Sequence, residues 1–199
     1  MEKLIMCFGD SLTYGYCADP GKDYVSLFKA KVSEDFPNSK IIIRNRGENG
    51  ESTRGALKRI DNELESYSPC LVIMLFGSND SAYSLWYHVG LDEFSRNYDI
   101  LISKILKSDS KLVLITPTPV VEDSEIPFID NDVLDKYCSI IKEKAIKYGL
   151  PLVDMNKAFL DAGDLPSLLQ WDGLHISTKG YQLFFDTLYR TLKNIIQFL

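Results

Sequence analysis

Five short runs along the chain are nearly continuous in apolar character: Leu4–Phe8, Ile41–Asn45, Cys70–Phe76, Lys111–Thr116 and Leu152–Met155. None alternates strictly between apolar and polar residues, which is the pattern of strands covered on both faces. Between them lie segments of helical length whose apolar positions recur with a 3.6-residue period. They fall near Tyr24–Asp35, Ser52–Ser66, Leu91–Ser108, Asn131–Tyr148 and Thr178–Ile196. Stop signals agree with these limits, as in Phe36-Pro37-Asn38 and in Gly149 followed by Pro151.

Strand and helix alternating five times predict an α/β fold, a three-layer α/β/α sandwich around a five-stranded parallel sheet. The expected strand order is the flavodoxin-like 2-1-3-4-5. Neither a repeat nor a low-complexity linker interrupts the pattern, so residues 1–199 read as a single domain. In such a sheet, ligands bind beyond the carboxyl ends of the strands, at the switch point between the first and the third. Three polar, glycine-containing loops converge on that edge: Asp10-Ser11-Leu12-Thr13, Arg46 through Thr53, and Gly77-Ser78-Asn79-Asp80.

Composition narrows the partners. The 199 residues carry a net charge of −6, which argues against nucleic acid and against an anionic membrane surface. Apolar runs are too short to span a bilayer, and no secretory leader precedes the first strand, so the expectation is a cytoplasmic protein without membrane insertion. Four cysteines, Cys7, Cys17, Cys70 and Cys138, form no CxxC pair and no metal-ligand spacing. Cys7 and Cys70 read as small buried hydrophobes. No metal and no cofactor is called for. The oligomeric state leaves no mark in the sequence.

Ser11 stands at the tip of the first strand behind Gly9-Asp10. A serine there commonly caps a helix, and a bare Asp-x-x-His pair such as Asp172 and His175 arises often by chance. Together they supply a nucleophile, a base and a carboxylate to orient the base. The chain has only two histidines, His88 and His175. His88 lies in a loop without a carboxylate at fixed spacing, leaving His175 as the base. Oxyanion donors are available from the Ser11 N–H, the Gly50 N–H and the Asn79 amide, although Gly50 taken alone is a turn glycine and Asn79 an Asx-turn residue. Aromatic residues in Ser81–Tyr87 follow Asn79, and Tyr83, Trp86, His88 and Trp171 are candidates for the pocket wall; the aromatics serve equally well as loop packing.

Taken in order, Gly9-Asp10-Ser11-Leu12, the segment Asn45 through Thr53 with Gly50, Gly77-Ser78-Asn79-Asp80 and Asp172-Gly173-Leu174-His175 resemble the four blocks of the GDSL esterase/lipase family. That family is also called the SGNH hydrolases. The resemblance covers nearly the whole chain and implies ester hydrolysis through an acyl-enzyme without metal or cofactor. It implies Ser11 as nucleophile, His175 and Asp172 completing the triad, and Ser11, Gly50 and Asn79 as the oxyanion hole. Asn49 departs from the serine that many members carry before the block-two glycine.

A narrower resemblance, to the isoamyl acetate-hydrolysing branch, rests on His88 through Phe94 and Thr116 through Val120, with Gly90 in place of the expected proline. It implies a short-chain acyl ester, acetyl first, as the small-molecule substrate. Two other readings stay open on sequence. One is a flavin- or phosphate-binding module, faintly suggested by Ser11-Leu12-Thr13-Tyr14-Gly15, which leaves Asp172 and His175 without a role. The other is a catalytically silent scaffold that binds carbohydrate or lipid.

Overall fold

A computed structural model describes residues 2–83, 86–122 and 128–199 of the chain. Five parallel strands, β1 (Lys3–Gly9), β2 (Ile41–Gly47), β3 (Leu71–Leu75), β4 (Lys111–Ile115) and β5 (Leu152–Val153), form one sheet in the order β2-β1-β3-β4-β5. In register, Ile5 of β1 lies between Ile43 of β2 and Leu71 of β3.

Each strand sends alternate side chains to opposite faces. Ile5, Cys7, Ile73, Leu75, Val113 and Ile115 join one core, and Met6, Phe8, Val72, Met74, Leu112 and Leu114 join the other. Both faces are covered, which explains why the strands read as unbroken apolar runs rather than alternating ones.

The first core is closed by α2 (Tyr24–Asp35), α7 (Met155–Asp161), α8 (Leu165–Leu168) and α9 (Thr178–Gln197). The second is closed by α3 (Thr53–Tyr67), α5 (Leu91–Lys107) and α6 (Asn131–Tyr148). This is the α/β/α sandwich expected from the pattern. Two single-turn helices, α1 (Ser11–Tyr14) and α4 (Ser78–Ser81), start directly behind the carboxyl ends of β1 and β3.

Differences from the sequence reading are local. The fifth strand stops at Val153 because the Asp154 carboxylate accepts from the Lys157 N–H and starts α7, where a strand to Met155 was expected. Cys7 is fully buried, but Cys70 is only half-buried and precedes β3, with its thiol donating to the Leu4 carbonyl. No helix among the described residues is long and apolar enough to cross a membrane.

Candidate active site

The turn that carries Ser11 is fixed from several sides. Asp10 caps α1, its Oδ1 accepting from the Leu12 N–H at 2.9 Å. Behind the turn, the Asn45 amide donates to the Thr13 carbonyl at 2.8 Å, the Tyr24 hydroxyl to Thr13 Oγ1 at 3.0 Å and the Tyr181 hydroxyl to the Leu12 carbonyl at 3.1 Å. Bonds from β2, α2 and α9 thus hold one helical turn that is too short to be stable alone. Ser11 is buried, 7% exposed, with its hydroxyl facing a cleft.

Asp172 and His175 meet that hydroxyl from the segment ahead of α9. The helix itself begins three residues after His175, capped by Ser177, so the pair lies in the turn ahead of it. Asp172 Oδ1 accepts from the backbone N–H groups of Leu174 at 3.0 Å and His175 at 2.9 Å. Its Oδ2 lies 2.5 Å from His175 Nδ1, and His175 Nε2 lies 3.1 Å from Ser11 Oγ. Burial works to raise the Asp172 carboxyl, but the imidazole and the two N–H groups outweigh it and hold the carboxyl below its ordinary value. An ionised carboxylate can only accept, which places the imidazole proton on Nδ1 and leaves Nε2 free to receive the serine proton.

The three candidate oxyanion donors from sequence, at Ser11, Gly50 and Asn79, sit in three loops that line the cleft. Gly50 adopts φ +71°, a conformation that favours glycine, and open space surrounds the position a Cβ would take. Among the described residues neither the Gly50 nor the Ser11 N–H has a protein acceptor. The Asn79 amide gives one hydrogen to the Glu51 carbonyl at 2.9 Å, keeping the second for the cleft. Behind Asn79, Asp80 accepts from the Thr53 N–H at 3.0 Å and from its hydroxyl at 2.5 Å, tying the third-strand loop to the start of α3.

Two buried carboxyls flank these donors. Burial pushes Asp10 up to about 7 against the Leu12 N–H, with the Asp80 charge adding to the rise. Burial likewise pushes Asp80 up to about 7, opposed chiefly by Thr53. Burial thus favours the neutral form of both acids.

The cleft has a volume of about 430 Å³. Ser11, Gly50, Asn79, Asp172 and His175 line it together with Tyr16, Asn49, Tyr87, Phe128, Trp171 and Leu174. Five loops separated by up to 164 residues thus meet at one edge. Of the wall candidates from sequence, Trp171 lines the cleft, as does Tyr87 at the end of the aromatic stretch Ser81–Tyr87. Trp86 is 88% exposed and borders an adjoining depression, packing edge-on against Tyr87. Tyr83 is exposed outside the lining, and His88 contributes its carbonyl to Arg54 rather than its ring to the cleft. Ser84 and Leu85 of the aromatic stretch lie outside the described residues.

Sequence reasoning missed Tyr16, Phe128 and Leu174. Tyr16 carried a signal, standing one helical turn and a glycine beyond Ser11. Its ring packs on His175 with centroids 4.5 Å apart.

A nucleophile, a base, an orienting carboxylate and free N–H donors are the parts of acyl transfer. A model of the GDSL-like lipase/acylhydrolase family matches residues 7–183, a span that includes every one of these groups. The chain belongs to that family. The isoamyl acetate-hydrolyzing esterase of Saccharomyces cerevisiae is 31% identical to this GDSL hydrolase over 208 residues, 96% of this chain and 86% of that one. An acetylxylan esterase of Geobacillus stearothermophilus is 26% identical, covering 92% of this chain and 90% of the relative. Among solved structures, a lipase/acylhydrolase of Enterococcus faecalis superposes with a TM-score of 0.86 at 27% identity, covering 96% of both chains. The GDSL hydrolase is a carboxylic ester hydrolase.

Proposed function

We propose that this GDSL hydrolase is a serine esterase that cleaves short-chain acyl esters, acetyl esters first, through an acyl-enzyme on Ser11. The observation that carries the reading is the unbroken line from Asp172 Oδ2 through His175 to Ser11 Oγ, ending in a cleft where two N–H groups have no acceptor among the described residues.

In the first half-reaction, Ser11 Oγ attacks the ester carbonyl as its proton passes to His175 Nε2. The carbonyl π electrons move onto oxygen, and the Ser11 and Gly50 N–H groups with the Asn79 amide stabilise that charge. Collapse of the intermediate breaks the bond to the alcohol, and His175 gives the same proton to the leaving alkoxide. Water then repeats the sequence on the acyl-serine, with His175 again as base, and the acid departs. Asp172 stays ionised throughout and stabilises the imidazolium.

Acetyl as the acyl group is supported by the relatives' names: one is named for isoamyl acetate, the other for acetylxylan. Four free thiols, with Cys17 exposed, suit a reducing compartment, which supports a cytoplasmic location.

Hydrolysis of p-nitrophenyl esters from acetate to palmitate, wild type beside Ser11→Ala, tests the proposal. The expected result is a maximum at acetate or butyrate and loss of turnover in the variant with an unchanged circular dichroism spectrum. Activity retained by Ser11→Ala would overturn the nucleophile; a maximum at long chains would overturn the acyl class.

A further inference from the structure

One side chain on α3 bonds the loops that carry Ser11 and Gly50 and, through Glu51, bears on the loop that carries Asn79. Arg59 Nη2 donates to the Gly9 carbonyl at 3.3 Å, two residues before Ser11. The same nitrogen donates to the Arg46 carbonyl at 2.9 Å, at the end of β2. Arg59 Nε contacts both carboxylate oxygens of Glu51 at 2.9 Å, and Nη2 also bonds Glu51 Oε2. Glu51 directly follows Gly50, and its backbone carbonyl is the acceptor that fixes the Asn79 amide. Arg59 Cζ also lies over the Phe8 ring, 4.2 Å from its centroid, within reach of a cation–π contact.

We propose that Arg59 is a positioning residue that sets the Ser11, Gly50 and Asn79 donors as one unit by tying Gly9, Arg46 and Glu51 to a single guanidinium. The inference rests on the esterase reading above and adds a residue that touches neither substrate nor triad. Only arginine has a planar fork of five donors able to serve three acceptors at once.

An ordinary structural ion pair is the competing account, and the charges argue against it. Burial pushes the Glu51 carboxyl up in spite of the arginine beside it. The Glu48 and Glu63 charges add to that rise, and a buried pair of this kind is weak evidence for stability, which leaves its geometric role as the account to test. Arg46 offers an internal comparison. Its side chain makes a paired contact with buried Glu63, which also accepts from Arg59, but it makes none with Gly9 or Glu51.

The test compares kcat, KM and thermal midpoint on p-nitrophenyl acetate for wild type, Arg59→Met, Arg59→Lys, Arg46→Met and Ser11→Ala. Loss of one oxyanion donor costs about 10²–10³ in turnover, and a displacement of about 1 Å can cost 10². Arg59→Met should therefore lose about 10- to 100-fold in kcat with KM within about threefold. Arg46→Met, which leaves the Arg46 carbonyl in place but breaks the paired contact with Glu63, should lower the thermal midpoint and cost far less in kcat than Arg59→Met.

Should Arg59→Met fail to fold, Arg59→Lys decides. It keeps a charge for Glu51 but cannot span all three acceptors, and its kcat should fall while the fold holds. A folded Arg59 variant with wild-type kcat, or an equal kcat loss in Arg46→Met, would overturn the proposal. Turnover surviving in Ser11→Ala would instead overturn the esterase mechanism itself.

Discussion

Asp172 grips His175 twice, one carboxylate oxygen on the imidazole Nδ1 at 2.5 Å and the other on the backbone N–H at 2.9 Å. Ring and main chain are thus set by one side chain, and the imidazole cannot rotate without leaving a buried acceptor unmet. The three-residue spacing is what permits this. A carboxylate can close a turn on the N–H three residues ahead while its second oxygen reaches the side chain at the same position.

Asp172→Asn separates these two duties. The amide oxygen can still close the turn, but it competes with the NH₂ for the imidazole and favours the wrong tautomer. The expected outcome is a kcat lower by about 10³–10⁴ with the fold retained. Asp172→Ala should lose the turn as well and show a lower thermal midpoint. Steady-state kinetics and melting curves check both. An Asp172→Asn loss below tenfold would contradict the orienting role.

Asp10 predicts a dependence of stability on pH. Its folded pKa, raised to about 7 by burial, stands above the ordinary aspartate value of about 3.9. The folded state then binds the proton more tightly than the unfolded chain does. The sign follows: this contribution is fully present below about pH 4 and is lost as pH rises through about 7. Asp10→Asn removes the titration while its amide oxygen can keep the cap on the Leu12 N–H. The difference in thermal midpoint, variant minus wild type, should grow from pH 4 to pH 7 and then level off. A difference constant from pH 4 to pH 8 would refute it.

Sequence legibility follows the physics of each element. Ile5, Met6, Cys7 and Phe8 are all fully buried, because the sheet is covered on both sides, and that burial writes itself as an unbroken apolar run. Long helices such as α5 and α9 repeat their pattern over several turns. The single turns α1, α4 and α8 span four residues each, too few for a period to show. At the site, Ser11, Asp172 and His175, which the structure brings together, were legible because few residue types can form such a relay. The walls were not. Tyr16 and Tyr87 face the cleft whereas Tyr83 and Trp86 do not, and in loops that choice is set by local backbone direction, which spacing does not encode. Arg59 was hidden for a related reason: on α3 it looks like a surface residue until the loops it binds have closed over it.

Gly47 makes a steric prediction. A Cβ there would lie 2.1 Å from the Tyr14 backbone nitrogen and 2.6 Å from the Thr13 carbonyl carbon, so α1 would have to move away from β2. Gly47→Ala should cost more than the roughly 0.5–3 kcal/mol of an ordinary substitution and should lower activity in the same step, since α1 carries Ser11. Gly90→Ala is the contrast, with nothing within 4 Å of the added carbon and an ordinary negative φ. Its thermal midpoint should stay close to wild type. Equal effects of the two substitutions would show that close packing of α1 on β2 is not what fixes the serine.

Trp171 and Tyr16 lead to a prediction about the alcohol half of the substrate. In the proposed mechanism His175 protonates the leaving oxygen, so the alcohol departs on the side of the imidazole. That side is bounded by Tyr16, packed on the His175 ring, and by Trp171, next to Asp172 and 71% exposed. A ring contact on an alcohol is worth about 0.5–1.5 kcal/mol beyond the area it buries, or about two- to tenfold in affinity. Trp171→Ala should therefore raise KM by about that factor for acetates of bulky or cyclic alcohols and leave ethyl acetate nearly unaffected. Because the contact persists equally in the ground and transition states, kcat should hold for both. Tyr16→Ala differs, since it also frees one face of the imidazole, and its loss should fall on kcat for every ester alike. A KM increase in Trp171→Ala that is the same for ethyl and bulky acetates would place the alcohol elsewhere in the cleft.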